Sequence, residues 1–178
     1  ETSSGQWTIE LRNDDGSGSG AITVTDANLT FSGSAISDDD LFIFTNEYSD
    51  YAGVDGHVTN FVGGVGLDWL NAAAVTLASN IDLSAGTGTI DGEAITFSDV
   101  EGVYTGDGND LITGSVNADQ IYTGRGDDAL NGGAGDDMMA GGAGNDILDG
   151  GDGVDYAVYD GAQAGYTITD NGDGTWTI

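Results

Sequence analysis

Apolar residues fall nine positions apart through the second half of the chain: Val103, Ile112, Ile121, Leu130, Met139, Leu148 and Ala157. Between them lie short stretches dominated by glycine and aspartate. The period predicts a six-residue turn followed by a three-residue strand whose central residue points inward. Two such units complete one coil, so turns 18 residues apart stack on one edge. Strands of successive coils then lie about 4.8 Å apart.

The first part of the chain predicts β-structure of a less regular kind. Residues 7–11 and 21–25 alternate between apolar and polar, as do 29–31, and 13–20 form a polar turn. The run Leu41-Phe42-Ile43-Phe44 reads as a strand buried on both faces. Residues 1–56 are taken as a smaller β-rich N-terminal element. Residues 57–104 form a transition with early coils that lack the glycine pattern. Within it a short helix is expected over 68–75, capped by Asp68, and short strands at 75–77, 81–83, 94–97 and 100–104. Residues 105–158 are the repeat region. Residues 159–178 form a hairpin around a glycine-bearing turn, expected to cap the open end of the coils. The fold class is all-β.

Composition narrows the function. The formal net charge is -29, from 31 acidic residues and only Arg12 and Arg125 as fixed cations. Such self-repulsion opposes compaction unless cations neutralise it. No basic patch exists for nucleic acid, and no apolar run reaches the roughly 18 residues needed to cross a bilayer. The absence of cysteine excludes disulfides and thiol chemistry, and one histidine, His57, excludes a multi-histidine metal site. No nucleophile elbow, phosphate loop or zinc-helix motif occurs, so no enzyme is expected. The strand-like pattern runs up to Ile178, which reads as an excerpt from a longer protein.

Asp110, Asp119, Asp128, Asp137, Asp146 and Asp155 repeat at a spacing of nine. From Gly132 the units read G-G-A-G-D-D-M-M-A, G-G-A-G-N-D-I-L-D and G-G-D-G-V-D-Y-A-V. Stacked carboxylates would repel, and Ca2+ between them removes the repulsion. Calcium takes about 6–8 oxygen ligands from carboxylates and main-chain carbonyls, which this chain offers.

The motif G-G-x-G-x-D-x-(apolar)-x resembles the RTX (repeats-in-toxin) family over residues 105–158. The resemblance implies a C-terminal calcium-binding parallel β-roll holding about four to six Ca2+ between turns of adjacent coils. It implies one site from Gly106, Gly108 and Asp110 with Thr123, Arg125 and Asp128. A second uses Gly124, Gly126 and Asp128 with Gly141, Ala143 and Asp146. On the other edge Gly133, Gly135 and Asp137 face Gly150, Asp152 and Asp155. A further pairing there joins Ser115, Asn117 and Asp119 to Gly132, Ala134 and Asp137, although the turn 114–119 departs from the pattern at its second and fourth glycines. Half-sites fall near Glu101 with Asp99 and near Asp160. The resemblance also implies type I export as an unfolded chain, with folding in external calcium.

Weaker signals read as structure. Asp14-Asp15-Gly16 and Asp38-Asp39-Asp40 are polar turns without EF-hand spacing. The outward positions Gln120, Met138 and Tyr156, beside Tyr122, Ala140 and Val158, make one face largely apolar. Such a face is seldom left open to water. It is expected to be covered by residues 1–100 or by self-association through Tyr122, Met138, Tyr156 and Val158. Three classes follow. The favoured one is a secreted or cell-surface structural module, such as a surface layer, filament or adhesin segment. The others are an accessory module of a secreted enzyme and a carbohydrate-binding module reporting through Trp7 or Trp69.

Overall fold

The computed structural model describes residues 59–160 without a break, together with six short flanking strands. The chain alternates between two sheets, laying down one strand in each per coil. One sheet holds β4 (Leu41–Ile43), β6 (Trp69–Asn71), β10 (Gly102–Tyr104), β12 (Gln120–Tyr122), β14 (Met138–Ala140) and β16 (Tyr156–Ala157) in that order, all parallel. The second holds β3 (Thr30–Ser32), β5 (Thr59–Val62), β9 (Glu93–Ser98), β8 (Thr87–Ile90), β7 (Asn80–Asp82), β11 (Leu111–Thr113), β13 (Ala129–Ala134) and β15 (Ile147–Asp152). This is an all-β architecture of two largely parallel sheets, consistent with a β-roll, and the described residues contain no helix.

The antiparallel strand of the second sheet, β8, has a topological reason. The chain enters β7 beside β11 of the following coil, reverses through β8, and returns in β9 beside β5 of the preceding coil. A meander of three strands restores the original direction, so parallel pairing resumes on both sides. The β8–β9 reversal is a two-residue turn in which Asp91 (φ 54°) and Gly92 (φ 82°) both take the left-handed conformation such hairpins require.

The three-residue strands β6, β7, β10, β11, β12 and β14 each bury their middle side chain. Leu70, Val103 and Ile121 from one sheet meet Ile81 and Ile112 from the other, all fully buried, with Leu130 and Met139 continuing the stack. The expected inward set is therefore borne out from Val103 to Met139. Leu148 is only partly buried and Ala157 is exposed, so the core thins toward the last coil.

Several expectations are corrected. No helix forms over 68–75: residues 69–71 are β6, held between β4 and β10, because Leu70 pairs with Phe42 and Val103 in a parallel ladder. Residues 75–77 form no strand; they lie in the irregular connection after the turn at 73–74. Leu41 and Ile43 are exposed and only Phe42 packs on the core, so β4 is not buried on both faces; it follows the one-in, two-out rule of the repeats. Both sheets also continue back to β3 and β4, inside the segment read from sequence as a separate element. Within that segment, β1 (Gln6–Leu11) and β2 (Gly20–Thr25) pair antiparallel. The C-terminal hairpin is present as β17 (Thr169–Asp170) against β18 (Trp176–Thr177). His57, residues 12–19 and residues 33–40 lie outside the described residues.

Candidate metal centre

The turns between strands are built by glycine at places where a side chain has no room. In the turn 141–146, Gly142 and Gly144 adopt φ of 86° and 154°. A Cβ on Gly141 would sit 2.4 Å from Oδ2 of Asp146, and one on Gly144 would sit 1.7 Å from the carbonyl oxygen of Gly126 one coil earlier. The first glycine thus leaves space for the aspartate of its own turn. The fourth lets successive turns stack with backbones in contact.

Stacking brings the aspartates into two ladders. On one edge the Asp110 N–H donates to Oδ1 of Asp128 (2.8 Å), and the Asp128 N–H donates to Oδ1 of Asp146 (3.1 Å). On the other, the Asp119 N–H donates to Oδ1 of Asp137 (2.8 Å), and the Asp137 N–H to Oδ1 of Asp155 (3.0 Å). One oxygen each of Asp128, Asp146, Asp137 and Asp155 is therefore committed to the turn one coil earlier, and Oδ1 of Asp110 likewise accepts the Ser79 N–H at 2.7 Å. The other oxygens of Asp110, Asp128 and Asp137 are buried and accept no hydrogen bond. Burial pushes the carboxyls of Asp110, Asp119 and Asp137 up from the ordinary range, reinforced by neighbouring aspartates.

Among the described residues no protein cation answers these charges. The chain has no lysine, and Arg125 points to the exposed Asp107 at 3.7 Å. A buried anionic oxygen without a donor is costly, so buried charges are paired or bind metal. The surrounding atoms are all oxygen donors, the chemistry that suits calcium rather than zinc or copper. Among the described residues no three acidic or histidine side chains converge. Each candidate centre instead has two carboxylates and relies on main-chain carbonyls for the rest.

The structure brings three of the four expected ligand sets together. Turn 105–110 stacks on 123–128 through paired Asp107 and Arg125, and the Arg125 N–H donates to the Gly106 carbonyl (3.1 Å). Turn 123–128 stacks on 141–146, with Ala143 N–H donating to Gly124 O (2.9 Å) and Gly126 N–H to Ala143 O (3.0 Å). Here Gly141 O also accepts the Thr123 hydroxyl (2.8 Å). Gly133 and Ala134 pair with Gly151 and Asp152, and Gly135 N–H donates to Asp152 O (2.8 Å), which sets Asp137 beside the turn of Gly150 and Asp155.

The fourth set differs. Both oxygens of Asp119 are taken by its own turn, Oδ2 by the Ser115 N–H (2.6 Å) and Oδ1 by the Ser115 hydroxyl (3.2 Å). Serine in place of the second glycine adds the hydroxyl donor, so that with the main-chain N–H both oxygens of Asp119 carry a hydrogen bond, unlike those of Asp128 and Asp137. A feature the repeat pattern does not announce is an outer polar ladder at the fifth position. Asn109 Oδ1 accepts from Asp127 N–H, and Asp127 Oδ1 from Asn145 N–H, at 3.0 and 2.8 Å. The signal for it was present: the fifth position carries Asn or Asp in four of the six units.

Residues 104–139 and 126–157 match the RTX calcium-binding nonapeptide repeat, a family described by four copies of the unit. Residues 104–157 are thus RTX calcium-binding repeats in a parallel β-sheet arrangement, and repeats of this kind are typical of secreted proteins. No curated protein matches the chain.

Proposed function

We propose that the chain is a secreted, calcium-dependent structural or assembly module whose roll folds as Ca2+ fills the aspartate ladders. The observation that carries this reading is the set of buried, donor-less oxygens on Asp110, Asp128 and Asp137 in a chain without lysine. Without calcium these charges oppose the coil; with it, binding free energy becomes folding free energy. The ligands are the three sets that the fold brings together.

The assembly part of the reading is supported by the outer face of the six-stranded sheet. Trp69, Tyr104 and Tyr122 form a stack there, with ring centroids 4.8 Å apart at each step, and the Tyr122 hydroxyl reaches Sδ of Met138 at 3.0 Å. Met138, Tyr156 and Val158 extend this strip and are exposed. The stacked rings cover one another's faces and present edges. That favours a flat contact with another copy over the ring-face stacking a sugar uses. An accessory role in a larger secreted enzyme is the alternative, and it predicts a monomer.

Calcium titration into calcium-stripped protein, followed by circular dichroism and light scattering together, tests both parts. A gain in β signal with particle growth is expected. Growth should be lost in Met138→Glu and Tyr122→Glu while the β signal remains. A β gain without growth would favour the accessory role, and no change in either would sink the calcium reading.

A further inference from the structure

We propose that Met138 is a modification site, oxidised by a hydroperoxide to the sulfoxide, and that this oxidation disperses copies joined through the outer face of the six-stranded sheet. The dispersal rests on the proposed self-association; the modification site does not.

The chain has two methionines, Met138 and Met139, adjacent in β14. Successive residues of a strand point to opposite faces, so the pair splits between the two sides of the sheet. Met139 is in the core at 2 % exposure, between Ile121 and Ala157 in the parallel register. Met138 is on the outer face and 37 % exposed. Two identical thioethers on neighbouring residues thus meet opposite environments. A hydroperoxide reaches the outer one directly, whereas the inner one needs the roll to open.

The outer thioether is held in place. The Tyr122 hydroxyl donates to its Sδ at 3.0 Å. Tyr122 in turn stacks on Tyr104, with ring centroids 4.8 Å apart and planes 21° apart, and Tyr104 stacks on Trp69. The indole of Trp69 lies over Gly102, where a Cβ would come within 2.2 Å of it, so the three rings form one continuous row. The register sets Met138 between Gln120 and Tyr156, so Met138 continues the row toward the exposed Tyr156.

In the reaction a sulfur lone pair attacks the terminal oxygen of the hydroperoxide as the O–O bond breaks. An S–O bond forms and the sulfur is oxidised by two electrons. The proton of the transferred oxygen passes to the leaving oxygen, which departs as water from hydrogen peroxide or as an alcohol from an organic hydroperoxide. The sulfoxide oxygen is a stronger acceptor than the thioether, and the Tyr122 hydroxyl is placed to donate to it. The oxidised side chain thus stays on the outer face, in the middle of the apolar strip. A second copy docking there would have to bury that polar oxygen.

The folded, calcium-loaded chain is treated with hydrogen peroxide, and fragmentation between residues 138 and 139 in a mass spectrometer reads the added oxygen on each. Met138 should oxidise at least about tenfold faster than Met139 in the folded chain, and at an equal rate in denaturant. Equal rates in the folded chain, or the same preference in denaturant, would overturn the modification site. Light scattering of the oxidised protein should show calcium-driven growth lost, and methionine sulfoxide reductases should restore it. Growth that survives complete oxidation of Met138, or a loss that the reductases do not reverse, would overturn the dispersal. Peroxide should leave the growth of Met138→Leu at that variant's own untreated level; a loss there would place the effect at another residue and overturn the dispersal too. Should Met138→Leu itself not grow, the reductase result decides. Untreated protein that never grows would refute self-association and dispersal together, while the rate ratio of Met138 to Met139 still decides the modification site.

Discussion

Asp128 is the carboxylate that two ligand sets share, so Asp128→Asn is the sharpest test of the ladder. Asparagine keeps an acceptor for the Asp110 N–H, which Oδ1 of Asp128 holds at 2.8 Å. It replaces the buried, donor-less Oδ2 with a neutral amide. In saturating calcium, a site held at a hundred times its dissociation constant stabilises the fold by about 2.7 kcal/mol. Loss of both sites should therefore cost ~5 kcal/mol. In a calcium chelator the sign reverses. Asp128 lies between Asp110 and Asp146, and removing the middle charge relieves two repulsions of about 1–4 kcal/mol each, depending on the effective dielectric. Denaturant unfolding of wild type, Asp128→Asn and Asp149→Asn, with and without calcium, reads this out; Asp149 is an exposed aspartate of the same coil region. Equal destabilisation of Asp128→Asn in both conditions would refute the argument, as would a calcium effect no larger than that of Asp149→Asn.

Backbone crowding makes a second test. Gly126 has φ 140° and a Cβ there would lie 1.7 Å from Gly108 O, so Gly126→Ala should cost roughly 3 kcal/mol in thermal or denaturant unfolding. Gly92 has φ 82° but nothing within 4 Å, and Gly92→Ala should cost only about 1–2 kcal/mol. Ile121→Ala, at a fully buried position, should cost about 2–5 kcal/mol, whereas Val116→Ala, 78 % exposed, should stay within about 0.5 kcal/mol. The calcium-free protein should respond to acid in the unusual direction. Its ladder carboxyls Asp110, Asp119 and Asp137 are raised by burial, so the folded state binds more protons than the unfolded one. Stability is then greatest below the ordinary carboxylate range and falls as pH rises through the raised values. Circular dichroism of metal-free protein should gain β signal on acidification; a steady loss would contradict the burial of these groups.

The repeat region was legible because its local rules and its global packing agree. Glycine, aspartate and one inward apolar residue recur every nine positions, and each local choice demands the same coil. The inward set from Val103 to Met139 follows from that period, and the stacking of turns 18 apart from the β-roll that the motif resembles. The defect at Asp119 was legible too, as missing glycines at 115 and 117, but not its consequence. Only the fold shows Ser115 donating twice to that carboxylate.

What the linear pattern could not carry is phase across an insertion. Residues 68–75 have apolar spacing compatible with a helix, and local propensity cannot weigh the parallel ladder that makes 69–71 a strand. The β8–β9 excursion shifts the count between Asp68 and Asp110, so the coils on its two sides share no single period. Sequence by itself determined the class of fold, the inward side chains and the hard-oxygen chemistry, because each depends on residues a few positions apart. The tertiary structure alone decided which carboxylates face one another, which oxygens are left without donors, and where the ladder begins. Those depend on contacts between turns that hydrogen bonding across the sheets brings together, over separations as large as the 33 residues from Asp68 to Glu101.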